Sequence, residues 1–253
     1  MNAARSNILR NRPHLSDPFR FYEQEAAFII ATARLPLGET SGRTAYAPES
    51  LEEILDNFSS LLKWPASTLA PLKHALELKE IDFTRLPLGE VPAFSLPYGE
   101  DDLAMLLYLL AKPWFLAMRQ ASGISDRSWQ EGRCPVCNSR PAITWISEDD
   151  RRQTLCLFCN TGGYVARSGC PVCFAEESQH QNILLCEEEE GFAVTACDCC
   201  RSYIKTVYPG IIAHWSAEIA DLMSLPIDML VQKKGYIRRT PNPIGMRKII
   251  STG

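Results

Sequence analysis

The chain has 253 residues, 46% of them hydrophobic, which is enough to bury a core and too apolar for a disordered segment. Acidic residues outnumber basic ones by 30 to 26, so no global basic field is available to hold a nucleic-acid backbone. Its ten cysteines all fall between 134 and 200, which argues against a chain-wide disulfide scaffold and for local metal sites in a reducing compartment.

The first residues carry three arginines but no following apolar run of signal-peptide length, so a cytoplasmic location is expected. Up to about residue 125 the apolar spacing is helical. A first helix is expected over Phe19 to Arg34, started by Ser16, Asp17 and Pro18. A second follows Ser50-Leu-Glu-Glu53, which has the capping-box arrangement, with Leu51, Ile54, Leu55, Phe58, Leu61 and Leu62 on one face. Leu69 to Leu78 forms a third, and a proline-rich connection runs from Pro87 to Pro97. Asp101 and Asp102 then open the most apolar helix, Leu103 to Met118. It is too short and too interrupted to cross a membrane, and Pro113 should bend or divide it.

The cysteine region is an internal repeat. Cys-Pro-Val-Cys occurs at 134–137 and again at 170–173, an offset of 36 residues. In each copy an apolar, strand-like segment follows, then an acidic tip, a second short strand and another cysteine pair. These are Ala142 to Ile146, Glu148 to Asp150, Thr154-Leu155 and Cys156/Cys159 in the first copy. In the second they are Asn182 to Leu185, Glu187 to Glu190, Phe192 to Ala196 and Cys197/Cys200. Two residues between cysteines let both thiolates face one ion, and two such knuckles joined by a hairpin supply a tetrahedron of sulfur. Cys134, Cys137, Cys156, Cys159, Cys170, Cys173, Cys197 and Cys200 are therefore the candidate ligands of two metal ions. Pairing of successive knuckles is preferred because each repeat is then self-sufficient, although cross-braced pairing has the same spacing. Soft thiolates accept either iron or zinc. Cys186 and Cys199 are left over, and neither has a neighbouring histidine or general base that would make it a nucleophile. No catalytic residue is assigned.

Beyond the repeat, Ile211 to Lys234 reads as helix with a break implied by Pro226, stopped by Gly235 and followed by an irregular tail from Thr240. The expected class is thus α+β: a mainly helical body (1–128), two tandem four-cysteine ribbon modules (129–166 and 167–209), and a C-terminal helix and tail (210–253).

The motif order Gly-Arg-Cys-Pro-Val-Cys, Leu-Cys-Leu-Phe-Cys, Gly-Cys-Pro-Val-Cys and Cys197-Asp-Cys-Cys200-Arg-Ser-Tyr-Ile-Lys205 resembles the FdhE-type formate dehydrogenase accessory proteins. The likeness continues through Asp221 to Asp228, Gly235-Tyr236 and Pro241-Asn-Pro243. The resemblance implies rubredoxin-like modules binding iron or zinc. It also implies a cytoplasmic factor, not an enzyme itself, that acts on the catalytic subunit of respiratory formate dehydrogenase and helps it become active. Cys199 and Pro226 depart from that family's pattern. Paired-cysteine ribbons also occur in two other functional classes. A zinc-ribbon nucleic-acid binder is disfavoured because residues 130–209 hold seven basic against eleven acidic side chains. A thiol-redox or sulfur-transfer protein would require a metal-free, accessible cysteine pair.

Overall fold

In the computed structural model of the chain, residues 8–35, 46–91, 96–124, 127–175, 180–186 and 189–249 are described. Four helices form the N-terminal half: α1 (Ser16–Thr32), α2 (Pro48–Leu62), α3 (Ala66–Glu77) and α4 (Glu100–Ser122), with a 3-10 turn at Phe83–Leu88. The apolar face read from the sequence of α2 is the buried one, with Leu51, Ile54, Leu55, Phe58 and Leu62 all in the core. Phe28 of α1 meets Phe58 edge-on at 5.2 Å, and Phe83, Trp114 and Phe115 continue the aromatic packing into α4.

The helix starts differ from expectation. Ser50 is not a cap: α2 begins two residues earlier at Pro48, whose fixed φ suits a first helical position, and Ser50 is buried inside the helix. Ser16 likewise does not N-cap α1, because the 3-10 turn Pro13–Leu15 runs directly into that helix. Nor does Pro113 divide α4, which runs unbroken for 23 residues from three carboxylates in its first turn to Gly123 in the left-handed region. Tertiary packing dominates here: the Tyr46 hydroxyl donates to the Leu110 carbonyl in the turn before Pro113, and nearly every side chain from Leu106 to Phe115 is buried. The proline-rich connection lies partly outside the described residues, as do Glu187 and Glu188 of the second acidic tip.

The cysteine region is a single sheet. Its strands are β1 (Arg127–Ser128), β2 (Ile143–Ile146), β3 (Arg152–Leu155), β4 (Gly162–Tyr164), β5 (Gln181–Leu185), β6 (Phe192–Cys197) and β7 (Tyr203–Val207), in the order β1-β4-β3-β2-β7-β6-β5. The β2–β3–β4 and β5–β6–β7 meanders are antiparallel, and they join through a parallel pairing of β2 with β7 that aligns Ile143 with Lys205 and Trp145 with Val207. The four strand-like segments expected from sequence correspond to β2, β3, β5 and β6. The third strand of each meander, β4 and β7, was not anticipated.

Downstream, α5 (Pro209–Ile212), α6 (Ala217–Met223) and α7 (Leu225–Lys233) stand where a helix broken near Pro226 was expected. The break falls at Ser224, and Pro226 occupies the first turn of α7. Gly235, at φ +82°, ends the helical region. The tail beyond Thr240 is irregular yet well packed: Thr240, Asn242 and Ile244 are buried.

Two cores result. One joins the helical body to the first cysteine cluster, and the other packs α1, the centre of the sheet and the C-terminal helices together. No helix among the described residues is long and apolar enough to cross a membrane.

Candidate metal centres

Four copies of one local structure hold the cysteines. In each knuckle the first cysteine's N–H donates to the carbonyl five residues on: Cys134 to Ser139, Cys156 to Thr161, Cys170 to Ala175 and Cys197 to Ser202. The residue after the second cysteine is left-handed every time, at φ +65° for Asn138, +55° for Asn160, +61° for Phe174 and +55° for Arg201. Asparagine tolerates that conformation readily, whereas phenylalanine and arginine adopt it at a cost that the knuckle must offset.

The knuckles meet in successive pairs. Cys134, Cys137, Cys156 and Cys159 form one cluster and Cys170, Cys173, Cys197 and Cys200 the other, with the four sulfurs of each within 4.8 Å of one another. In the first, Cys134 and Cys159 sulfurs lie 3.5 Å apart and those of Cys137 and Cys156 3.3 Å apart. In the second, Cys170 to Cys200 is 3.8 Å and Cys173 to Cys197 is 3.7 Å. A metal–sulfur bond of about 2.3 Å gives a tetrahedron with edges of roughly 3.8 Å, so the donor set and its spacing fit a tetrahedral ion. These contacts are far too long for disulfides, and all ten cysteines are free. Each cluster can therefore hold one ion of the soft, tetrahedral kind. Cys199 is exposed and Cys186 half-buried, and neither belongs to a cluster.

Hydroxyl groups support the sulfurs, a feature the sequence reading missed. Ser139 Oγ lies 3.0 Å from the Cys156 sulfur and Thr161 Oγ1 3.1 Å from that of Cys159, while Ser202 hydrogen-bonds the Cys200 sulfur. The signal was available as a Ser or Thr two residues after the knuckle at three of four positions, with Ala175 at the fourth. Such donors favour a thiolate over a thiol. Crowding shows in the protonation preferences: burial pushes the Cys137 thiol well up, while hydrogen bonds from Cys134, Cys137, Cys159 and Ser139 outweigh burial at Cys156 and hold it well down. Metal binding requires the thiolate form, so these donors and a bound cation would act in the same direction.

The two centres differ in setting. The first lies in the helical core: Cys134, Cys137, Cys156 and Cys159 are all buried, and α4 holds its second knuckle from behind. Tyr108 donates to the Leu157 carbonyl at 2.6 Å. Lys112 donates to the same carbonyl, to Asn160 Oδ1 at 3.2 Å and to Glu218 at 3.2 Å. By contrast, the second centre sits in a small satellite cluster with Val172 and Ile204, and its Cys173 and Cys200 are half-buried.

Residues 168–244 match the family model described as the FdhE C-terminal domain. A protein called an FdhE homolog from Pseudomonas aeruginosa is 28% identical over 162 residues, covering 60% of this chain and 50% of its own. The FdhE homolog of Rhizobium meliloti is 26% identical over 206 residues, covering 78% and 66% respectively. Protein FdhE of an Escherichia coli strain is 30% identical over 117 residues, covering 45% and 38%. The matched part spans about half the length of the first of these relatives. The crystal structure of the FdhE protein from Pseudomonas aeruginosa shares the fold, with a TM-score of 0.59 at 21% identity over 90% of this chain and 88% of that one. Residues 168–244 thus match the FdhE C-terminal domain, and that match, with the similarity to FdhE proteins and the shared fold, supports an FdhE-type family.

Proposed function

We propose that this protein is a cytoplasmic maturation factor that binds the catalytic subunit of respiratory formate dehydrogenase and is needed for its activation, with iron or zinc held by Cys134, Cys137, Cys156 and Cys159 and by Cys170, Cys173, Cys197 and Cys200. In this reading residues 1–128 are the helical body, 129–166 and 167–209 the two modules, and 210–253 the closing helices and tail. It turns over no substrate of its own and binds neither nucleic acid nor membrane.

The observation that carries the reading is the unequal placement of two alike sulfur clusters on one continuous sheet. A staple needs only to be buried, and the first centre meets that description. The second presents half-buried sulfurs near the surface, which suits a metal-ordered face that meets a client. The likeness to FdhE proteins points to formate dehydrogenase as that client.

Affinity capture from anaerobically grown cells, with metal analysis of the recovered material, tests the proposal. Co-purification of the formate dehydrogenase catalytic subunit with two metal equivalents per chain is the expected result. Recovery of the two-metal chain with no formate dehydrogenase subunit, from cells that are making the enzyme, would overturn the assignment.

A further inference from the structure

A cavity of about 400 Å³ opens where the end of the 3-10 turn at Gly89, the third knuckle at Val172 and the C-terminal tail converge. Arg133, Arg140, Arg239 and Arg247 line it together with the buried Arg238, and no carboxylate does. This is a local reversal of sign in a chain whose formal net charge is −4. Arg238 is committed, since its guanidinium pairs with Asp221 and Asp228.

The other four form no ion pair among the described residues. Arg133 donates to the Asn138 carbonyl at 3.3 Å and Arg140 to the Glu131 carbonyl at 2.6 Å. Arg239 donates to Ser202 Oγ at 2.7 Å and to the Cys200 carbonyl at 2.8 Å. The Arg247 side chain makes no hydrogen bond among the described residues, and its guanidinium lies beside Gly89, where a Cβ would come 3.4 Å from it. Burial and the neighbouring charge of Arg133 push the Arg140 guanidinium below its ordinary value, against the opposing pull of Cys170, Glu131 and Cys200. Four guanidinium groups that hydrogen-bond neutral atoms or none, drawn from separate segments of the chain, still have donors to offer and mutual repulsion to relieve.

We infer that this cleft binds a phosphate-bearing ligand, with Arg133, Arg140, Arg239 and Arg247 taking its phosphoryl oxygens. A phosphoryl group presents several acceptor oxygens and up to two charges within one small volume, which suits donors approaching from several sides. An extended acidic peptide would spread its charges along a line, whereas these guanidinium groups gather from the first knuckle and the tail around one cavity. Occupancy would also reach the second centre, because Arg239 hydrogen-bonds Ser202, and Ser202 in turn hydrogen-bonds the Cys200 sulfur. This inference is independent of the client-binding reading.

Isothermal titration of the full chain, as isolated, against sodium pyrophosphate and against ADP at constant ionic strength is the test, with sodium chloride as reference. Saturable one-site binding is expected, and Arg247→Gln and Arg133→Gln should each weaken it roughly tenfold or more, the effect of losing a charge-assisted hydrogen bond. Arg167→Gln, at an arginine paired with Asp150, should change nothing. Tighter binding of ADP than of pyrophosphate would mark the ligand as a nucleotide, and equal binding as a terminal diphosphate. Phenylglyoxal modification of the unmutated chain, mapped by mass spectrometry, needs no variant: pyrophosphate should protect Arg247 and Arg133. Binding no stronger than chloride, affinity unchanged in both variants, absence of protection, or stronger binding of a polyglutamate peptide than of pyrophosphate would each overturn the inference.

Discussion

Lys205 on β7 donates to Asp228 on α7 at 2.7 Å, and neither side chain is exposed to solvent. Tyr203 donates to the same carboxylate at 2.7 Å, Lys205 also pairs with Asp221, and Arg238 closes the network from the tail. Sheet, C-terminal helices and tail are thereby fixed through one set of buried charges.

Removing one partner leaves an uncompensated charge in the interior, so Lys205→Met should lower stability at neutral pH by about 3–5 kcal/mol. The double variant Lys205→Met with Asp228→Asn should recover part of that loss. Urea denaturation of the three proteins measures both, and additive losses in the double variant would contradict a shared network.

Glu25 gives a pH-dependent effect of defined sign. Burial raises its carboxyl from 4.5 to about 8, against the opposing charge of Lys112 and with that of Glu218, and Oε2 finds no hydrogen-bond donor among the described residues. Between those values the folded chain keeps a proton that the unfolded chain has released. Stability is therefore full below about 4.5 and declines as pH rises toward 8. Glu25→Gln should flatten this decline and gain on the order of a few kcal/mol at pH 8 relative to pH 5. Denaturation curves of the two proteins that stay parallel across that range would refute the assignment.

Gly132 precedes the first knuckle at φ +54°, and a Cβ there would lie 1.7 Å from the Pro171 carbonyl oxygen of the third. Both the backbone and the contact forbid a side chain, so Gly132→Ala should cost more than roughly 2 kcal/mol and displace the two knuckles from one another. Thermal unfolding together with metal retention reads this out. Gly123→Ala, at a positive-φ site with open space around it, provides the control for backbone strain alone.

Metal stoichiometry separates the ten cysteines. Cys137→Ser and Cys173→Ser should each lose one of two metal equivalents, whereas Cys186→Ser and Cys199→Ser should keep both. The first-centre variant should also lose helical-body stability, because its sulfurs belong to that core. Inductively coupled plasma mass spectrometry with circular dichroism checks the set.

What the sequence disclosed follows the range of the forces involved. Knuckle spacing is local, so the paired cysteines and their repeat could be read directly, and the amphipathic face of α2 was equally plain. Cys200, and not Cys199, lies in the second sulfur cluster, in keeping with the two-residue gap that turns both side chains inward. Ser50 misled because a capping-box pattern says nothing of Pro48 upstream, which starts the helix first. Pro113 does not divide its helix because a buried, laterally packed helix tolerates a lost hydrogen bond that an isolated one would not. Strands β4 and β7 escaped because Gly-Gly-Tyr is hardly strand-like alone, and Lys205 looks misplaced in a strand until Asp221 and Asp228 are known to face it. The arginine cleft was invisible for the same reason: its members are spread from 133 to 247.

Because β2 opens the first repeat, β7 closes the second, and the two run side by side, the duplicated unit has ceased to be a pair of beads on a string. An ion leaving one bead would tug on a strand that the other also needs. Release at one end should therefore be felt at the other, and the doubled motif would behave thermodynamically as a single folding unit with two occupants.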